Sequence, residues 1–307
     1  IEMLIDRIMY FCDNEYQRMN MNFRCTDCER EDGCSGGCKN CLEEIHYPSR
    51  HPNGKRNYDC PHLINFYVCD YTYKYTTEMY LLMQKSTVLR RLPHYNVFSI
   101  GCGGCPDLMA FELYIQDNNF SKTVEYRGID KNPLWEPVHG QICQYCQYDT
   151  DTITYINLST EDVFDFLEHF SVSDVNVVVL QYIISALYVS HGQVAVSRLF
   201  DLVIDSIVKE RNLCEPFAIL INDVNSINLG RDTFLTLKDK LRNAGFHGEC
   251  KSYYFDRNIR HESQRYGEKH ERSDAITDTI AQKYRFYEPW QFCTSAQLLI
   301  EIRGNNE

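Results

Sequence analysis

The sequence predicts an α/β fold: a seven-stranded, mostly parallel sheet with helices on both faces, preceded by a small cysteine-rich, helical module. Three observations carry this. From residue 96 onward, short apolar runs alternate with stripes at helical spacing. The run NVVVL, residues 176–180, is apolar at nearly every position, as a central strand covered on both faces requires. Six cysteines (Cys25, Cys28, Cys34, Cys38, Cys41 and Cys60) crowd into residues 25–60, ahead of the first strand. The expected division is residues 1–92 for the module and 93–307 for the α/β domain.

In order, Ile1, Leu4, Ile5, Ile8 and Met9 recur at helical spacing and predict a helix over 1–20. Residues 61–92 read as one long helix, opened by Pro61 and closed before Pro93. Its residues Tyr67, Tyr71, Tyr75, Met79 and Met83 fall at steps of four and so share a face. That face packs the module on the domain, or else Tyr71, Tyr73 and Tyr75 wall a ligand site. Strands are expected at 97–100, 124–129, 153–157, 176–180, 217–221, 250–255 and 296–302. Helices are expected from 106, over 134–147 and 163–170, from the fourth strand to about 211, and around Phe234, Leu237 and Leu241. Alternating strands and helices imply parallel pairing, with a polar insertion over 256–290 before the last strand.

The chain has 307 residues, 44% hydrophobic and 24% charged, with a formal net charge of −12. Such a surface does not draw in phosphate backbones from a distance, so nucleic acid would need a local patch. Lys39, Arg50, Lys55 and Arg56 offer one; residues 251–272 mix both signs and form a solvated face. No apolar stretch reaches membrane-spanning length. The start, IEMLIDRIMYFCDNE, is amphipathic and acidic, unlike a secretory signal, which points to the cytoplasm and reduced thiols. Fifteen cysteines then call for metal ligation at some positions. Cys12, Cys143, Cys214 and Cys293 read as small buried hydrophobes.

The favoured ligand set is Cys34, Cys38, Cys41 and Cys60. The run Cys34-Ser-Gly-Gly-Cys38-Lys-Asn-Cys41 is a tight knuckle, and Cys60 precedes a proline-opened helix whose free N–H groups stabilise a thiolate. Cys25 and Cys28 are alternates through a C-x2-C-x9-C-x2-C frame. Zinc suits these ligands; an iron–sulfur cluster on the C-x3-C-x2-C spacing is the other reading.

The chemistry centres on VFSIGCGGCPD, residues 97–107: a strand, a glycine turn and a helix start. Glycines let the backbone approach a ligand, and the helix N-terminus faces it. Pro106 stands where the dinucleotide fingerprint needs its third glycine, which disfavours that alternative. An acidic residue, Asp130, ends the second strand.

On SIGCGGCPDL (99–108), YRGIDKNP (126–133), NLSTEDVF (157–164) and NVVVLQYIISAL (176–187), the sequence resembles the class I S-adenosylmethionine-dependent methyltransferases, with a Rossmann-like domain over about 94–303. The resemblance implies that Gly101, Cys102, Gly103 and Asp107 lie beside the methionine part of the cofactor. It implies that Asp130, with Lys131 beside it, meets the ribose hydroxyls, that Glu161 or Asp162 lies near adenine, and that Leu180, Gln181 and Tyr182 face the methyl group. Tyr75 and Glu78 are expected to approach the site from the long helix. Tyr182 and Gln181 are the catalytic candidates, with Glu78 and Asp223 as further general-base candidates. The fourth strand ends in LQYI, without the Asn/Asp-Pro-Pro-aromatic pattern of base amino-methylation, so RNA, protein or peptide, and small-molecule substrates stay open. Cys102 and Cys105 read as small residues flanking the loop. A binding protein that keeps only the methyltransferase-like domain, and a radical iron–sulfur enzyme using Cys34, Cys38 and Cys41, are the competing functions.

Overall fold

The computed structural model describes residues 2–20, 37–47, 49–54, 57–169, 174–208, 215–226, 229–246, 248–257, 259–276 and 289–302. The helices are α1 (Leu4–Asn20), α2 (Cys38–His46), α3 (Pro61–Gln84), α4 (Thr87–Arg91), α5 (Pro106–Asp117), α6 (Glu136–Tyr148), α7 (Val163–His169), α8 (Ile183–Val203) and α9 (Phe234–Asn243). The strands are β1 (Tyr95–Ile100), β2 (Val124–Ile129), β3 (Ile153–Ser159), β4 (Val177–Gln181), β5 (Phe217–Asp223), β6 (Glu249–Tyr254), β7 (Glu268–Lys269) and β8 (Ala296–Ile302).

They form one sheet in the order β3-β2-β1-β4-β5-β8-β6-β7. β1 to β5 pair in parallel, and β8 runs antiparallel between β5 and β6. The expected seven strands become eight, because the two-residue β7 pairs with the edge of β6. The last strand also enters the sheet rather than extending its edge.

Period-two alternation explains the apolar strands. Val177 and Val179 join Val97, Ala218 and Leu220 in a core packed with α1, α3, α5 and α6. Val178 and Leu180 join Phe98, Ile219 and Ile221 in the opposite core with α7, α8 and α9. Each fully buried valine or leucine contributes about 1.5–3 kcal/mol. The first core includes residues from Leu4 to Leu299, so α1 and α3 help to cover one face of the sheet, while Tyr16, Leu63 and Phe66 of the same helices join a smaller cluster with Cys38, Leu42 and Cys60.

Two expected helices are shorter than their apolar stripes. The 61–92 helix ends at Gln84, where Ser86 accepts the Leu89 N–H (3.0 Å) and starts α4. The buried Glu301 carboxylate of β8 holds this break, accepting the Ser86 hydroxyl (2.6 Å) and the Val88 N–H (2.8 Å). The helix expected to run to 211 ends at Val203 in a π-turn and is interrupted at Gly192 (φ 76°). Among the described residues, no helix is long and apolar enough to cross a membrane.

Candidate cofactor crevice

The chain runs outward from β1 to β2 and β3, then returns to β4 on the other side of β1. Ligands of open α/β sheets bind at such a switch point, beyond the carboxyl ends of the strands. Residues 101–105 follow β1 there, and Gln181 and Tyr182 end β4. Gly101 (φ 68°) and Gly103 (φ 50°) adopt left-handed backbone. A Cβ on Gly101 would stand 2.7 Å from the Ile183 side chain. The Gly101 and Cys102 N–H groups both meet the Ile129 carbonyl (2.8 and 3.0 Å), anchoring the turn to β2.

Asp130 sits where the sequence placed it. One carboxylate oxygen accepts the Gly103 N–H (3.1 Å) and the other accepts the Asn132 N–H (2.9 Å). Burial raises its pKa, and these two N–H groups oppose the rise. A carboxylate has about four lone-pair positions, so two stay available for a vicinal diol. Asn132 also donates to the Tyr58 carbonyl (2.8 Å), tying this corner to the segment before α3.

The step-of-four face of α3 forms an aromatic wall. Tyr71 stacks on Tyr75 (5.3 Å between centroids, 9° between planes), and Tyr75 lies 4.2 Å from the Tyr182 ring. Tyr67 packs on Tyr58 and Trp135, and Trp290 stacks on Tyr71. Tyr73 is not part of the wall; it is buried in the core that α1, α5 and α6 also enter. Lys74 projects into the aromatic cluster, its ammonium 4.9 Å from the Tyr182 centroid and 5.1 Å from that of Tyr75.

Glu78 departs from the expected cofactor contact. It is wholly buried, and its oxygens accept from Tyr182 (2.7 Å), Asn222 (3.0 Å), Thr294 N–H (2.8 Å) and Ser295 N–H (3.2 Å), with Lys74 at 3.7 Å. It is a structural hub joining α3 to β5 and β8. Tyr182, in left-handed backbone (φ 57°), donates to Glu78 and accepts from Lys74 (2.9 Å). Burial, reinforced by Glu78, raises the Tyr182 pKa well above its ordinary value. Gln181 donates to the Tyr75 carbonyl (2.9 Å) while its Oε1 is buried with no partner.

Other expected contacts also move. The Leu180 side chain is enclosed in the core, leaving only its backbone at the strand end. Asp107 is 1% exposed and its carboxylate takes the Tyr126 hydroxyl (3.0 and 3.1 Å). Lys131 and Glu161 are exposed. Asp162 accepts the Phe164 N–H (2.8 Å) and caps α7.

Asp223 caps α8, accepting the Ile184 and Ser185 N–H groups (3.0 and 3.1 Å) and that of Val224 (2.6 Å). Burial still outweighs these bonds and lifts its pKa from 3.8 to about 6. A raised folded-state pKa gives stability that is complete below the unfolded value and lost as pH climbs through the folded one. Asp223→Ala therefore costs about 1–3 kcal/mol through its orphaned N–H groups. The deficit is largest near pH 4 and shrinks above pH 6; urea unfolding across that window checks it.

Of the module's ligand set, Cys34, like the alternates Cys25 and Cys28, lies outside the described residues, as do Lys55, Arg56 and Cys214. Cys38 begins α2, Cys60 precedes α3, and both are buried in one cluster with Leu42, Leu63 and Phe66, with Cys41 packed against it. Among the described residues, the group of three ligand atoms lying within 4.8 Å of one another is elsewhere: Cys102, Cys105 and His139. Burial raises the Cys105 thiol, but hydrogen bonding to Cys102 and His139 outweighs it and holds the group at about 6. The sequence reading missed His139; the pairing of CGGC (102–105) with HGQIC (139–143) was its available signal.

The strand order and single reversed inner strand define a doubly wound, Rossmann-like sheet. No family model and no curated protein matches the chain. Several solved structures show a likeness to the chain. A Listeria monocytogenes protein assigned to the class I S-adenosylmethionine-dependent methyltransferases is 9% identical, with a TM-score of 0.47, over 99% of this chain and 89% of that one. The plantazolicin methyltransferase BpumL, bound to SAH, is 11% identical (TM-score 0.40) over 95% and 100%. The bifunctional kinase-methyltransferase WbdD is 16% identical (TM-score 0.33) over 51% of this chain, which spans only 29% of that longer protein.

Proposed function

We propose that this chain is an S-adenosylmethionine-dependent methyltransferase whose N-terminal segment covers the substrate side of the crevice. The observation that carries the reading is the junction of the glycine turn with Asp130 at the switch point between β1 and β4. The cofactor would supply an electrophilic methyl group on a sulfonium. Asp130 would accept both ribose hydroxyls, a charge-assisted pair. The backbone at 101–104 would lie against the amino-acid end. The buried, unpartnered Gln181 Oε1 would receive a donor from cofactor or substrate. The wall of Tyr67, Tyr71 and Tyr75 would exclude water and align the acceptor atom, and alignment alone carries much of a displacement's rate. The acidic net charge and aromatic lining favour a small or peptidic substrate over RNA.

The same reading gives the N-terminal module one structural zinc through Cys34, Cys38, Cys41 and Cys60. The shared burial of Cys38 and Cys60 at two helix starts supports it. Iron with acid-labile sulfide in anaerobically purified protein would replace it with a cluster.

Calorimetry with S-adenosylmethionine and S-adenosylhomocysteine tests the central reading. The expected outcome is saturable one-site binding by both. Absence of binding to folded, metal-replete protein overturns it and leaves a binding protein on a methyltransferase-like scaffold.

A further inference from the structure

We infer that Cys102, Cys105 and His139 form a zinc site beneath the cofactor turn, separate from the N-terminal cysteine cluster. This goes beyond the methyltransferase reading and does not depend on it. Residues 102–105 make a tight turn closed by the Cys105 N–H on the Cys102 carbonyl (2.8 Å). Gly103 and Cys105 are in left-handed backbone, a C-x2-C turn that brings both sulfurs to one side, facing His139 on α6. The three ligand atoms lie within 4.8 Å of one another. Zinc–sulfur bonds near 2.3 Å and a zinc–nitrogen bond near 2.0 Å at tetrahedral angles require edges of about 3.5–3.8 Å, so a small contraction suffices.

The surroundings suit a ligand set. His139 Nε2 lies 2.8 Å from the Gly103 carbonyl, and an Nε2–H donated there would leave the Nδ1 lone pair for a metal. Gly128 leaves room for the Cys102 sulfur: a Cβ at that position would stand 2.9 Å from it. Cys143, four residues after His139, shares its helix face, and the three grouped ligands leave a fourth position for it or for a water molecule. Cys102 and Cys105 are 4% and 0% exposed, so thiol chemistry there waits on local opening of the turn, which bound zinc would suppress. Binding involves no redox change: each ligating thiol forms a sulfur–zinc bond and releases its proton to solvent. The metal would clamp the turn to α6 on either side of Gly103, the residue whose N–H meets Asp130.

The test uses the full chain, stripped by chelator and reloaded with zinc or cobalt(II) alone. Cys105→Ser is expected to lose one metal equivalent relative to wild type and part of the thiolate-to-cobalt absorption. His139→Cys is expected to keep the metal with altered cobalt ligand-field bands, which mere unfolding would not produce. Should both variants fail to fold, wild-type protein decides: zinc is expected to slow alkylation of Cys102 and Cys105, read peptide by peptide, by about tenfold or more. Unchanged metal content with an unchanged cobalt spectrum in the folded variants, zinc-independent alkylation, or a Cys102–Cys105 disulfide in zinc-treated protein each overturns the site.

Discussion

Asp130→Ala is expected to weaken S-adenosylhomocysteine binding by about 30- to 160-fold, the equivalent of 2–3 kcal/mol for a charge-assisted pair of hydrogen bonds. The expectation follows from how the carboxylate is held. Its two oxygens are positioned by the Gly103 and Asn132 N–H groups, one on each flanking turn, so no reorganisation is needed when a diol arrives. The alanine variant loses the acceptors and also frees the Gly103 N–H. Asp130→Asn separates the two effects: it keeps one acceptor oxygen but loses the charge, and should fall between wild type and alanine. Calorimetry with thermal unfolding as a folding control checks both. Unchanged affinity in a folded Asp130→Ala protein removes this residue from the cofactor site.

Glu78→Ala is expected to cost about 3–5 kcal/mol of folding stability, because breaking a buried pair leaves the Lys74 ammonium uncompensated. The partner set makes the effect large. Tyr182, Asn222 and the N–H groups of Thr294 and Ser295 all give hydrogen bonds to this one carboxylate. These residues belong to the end of β4, β5 and the entry to β8, so their loss loosens the floor of the crevice. Lys74→Met in the same background removes the orphaned charge and should restore part of the loss. Urea unfolding of the single and double variants measures this, and additive costs would show that the pair is not coupled. A cofactor contact at Glu78 would instead lower ligand affinity with stability intact.

The legible parts of this protein were those written in local pattern. NVVVL announced a strand buried on both faces, and the structure divides its residues between two cores. The glycine turn and the position of Asp130 were legible because left-handed backbone and a strand end are local features of the chain. The expected positions of α3 and α8 were right and their ends were not. Ser86 stops one helix with help from Glu301, which is 215 residues away. Gly192 interrupts the other.

Several site candidates bond to the protein itself, for one shared reason. Glu78, Asp107, Asp223 and Tyr182 carry the right chemistry at plausible positions, but whether a polar side chain faces a ligand or a protein partner depends on what packs over it. For Glu78 that cover comes from the entry to β8, more than 200 residues later. His139 was missed for the complementary reason: only the packing of α6 beside the β1 turn brings it to Cys102 and Cys105.

By itself, then, the sequence determined the α/β rhythm, the crevice-forming turn and the acidic residue opposite it, since strand burial, positive φ and strand-end placement are local properties. The tertiary structure alone decided the order of β8 and β6, the division of carboxylates between hub, helix cap and strand-end turn, and the grouping of two thiols with one imidazole. These depend on contacts between distant segments, and local chain preference carries no record of them.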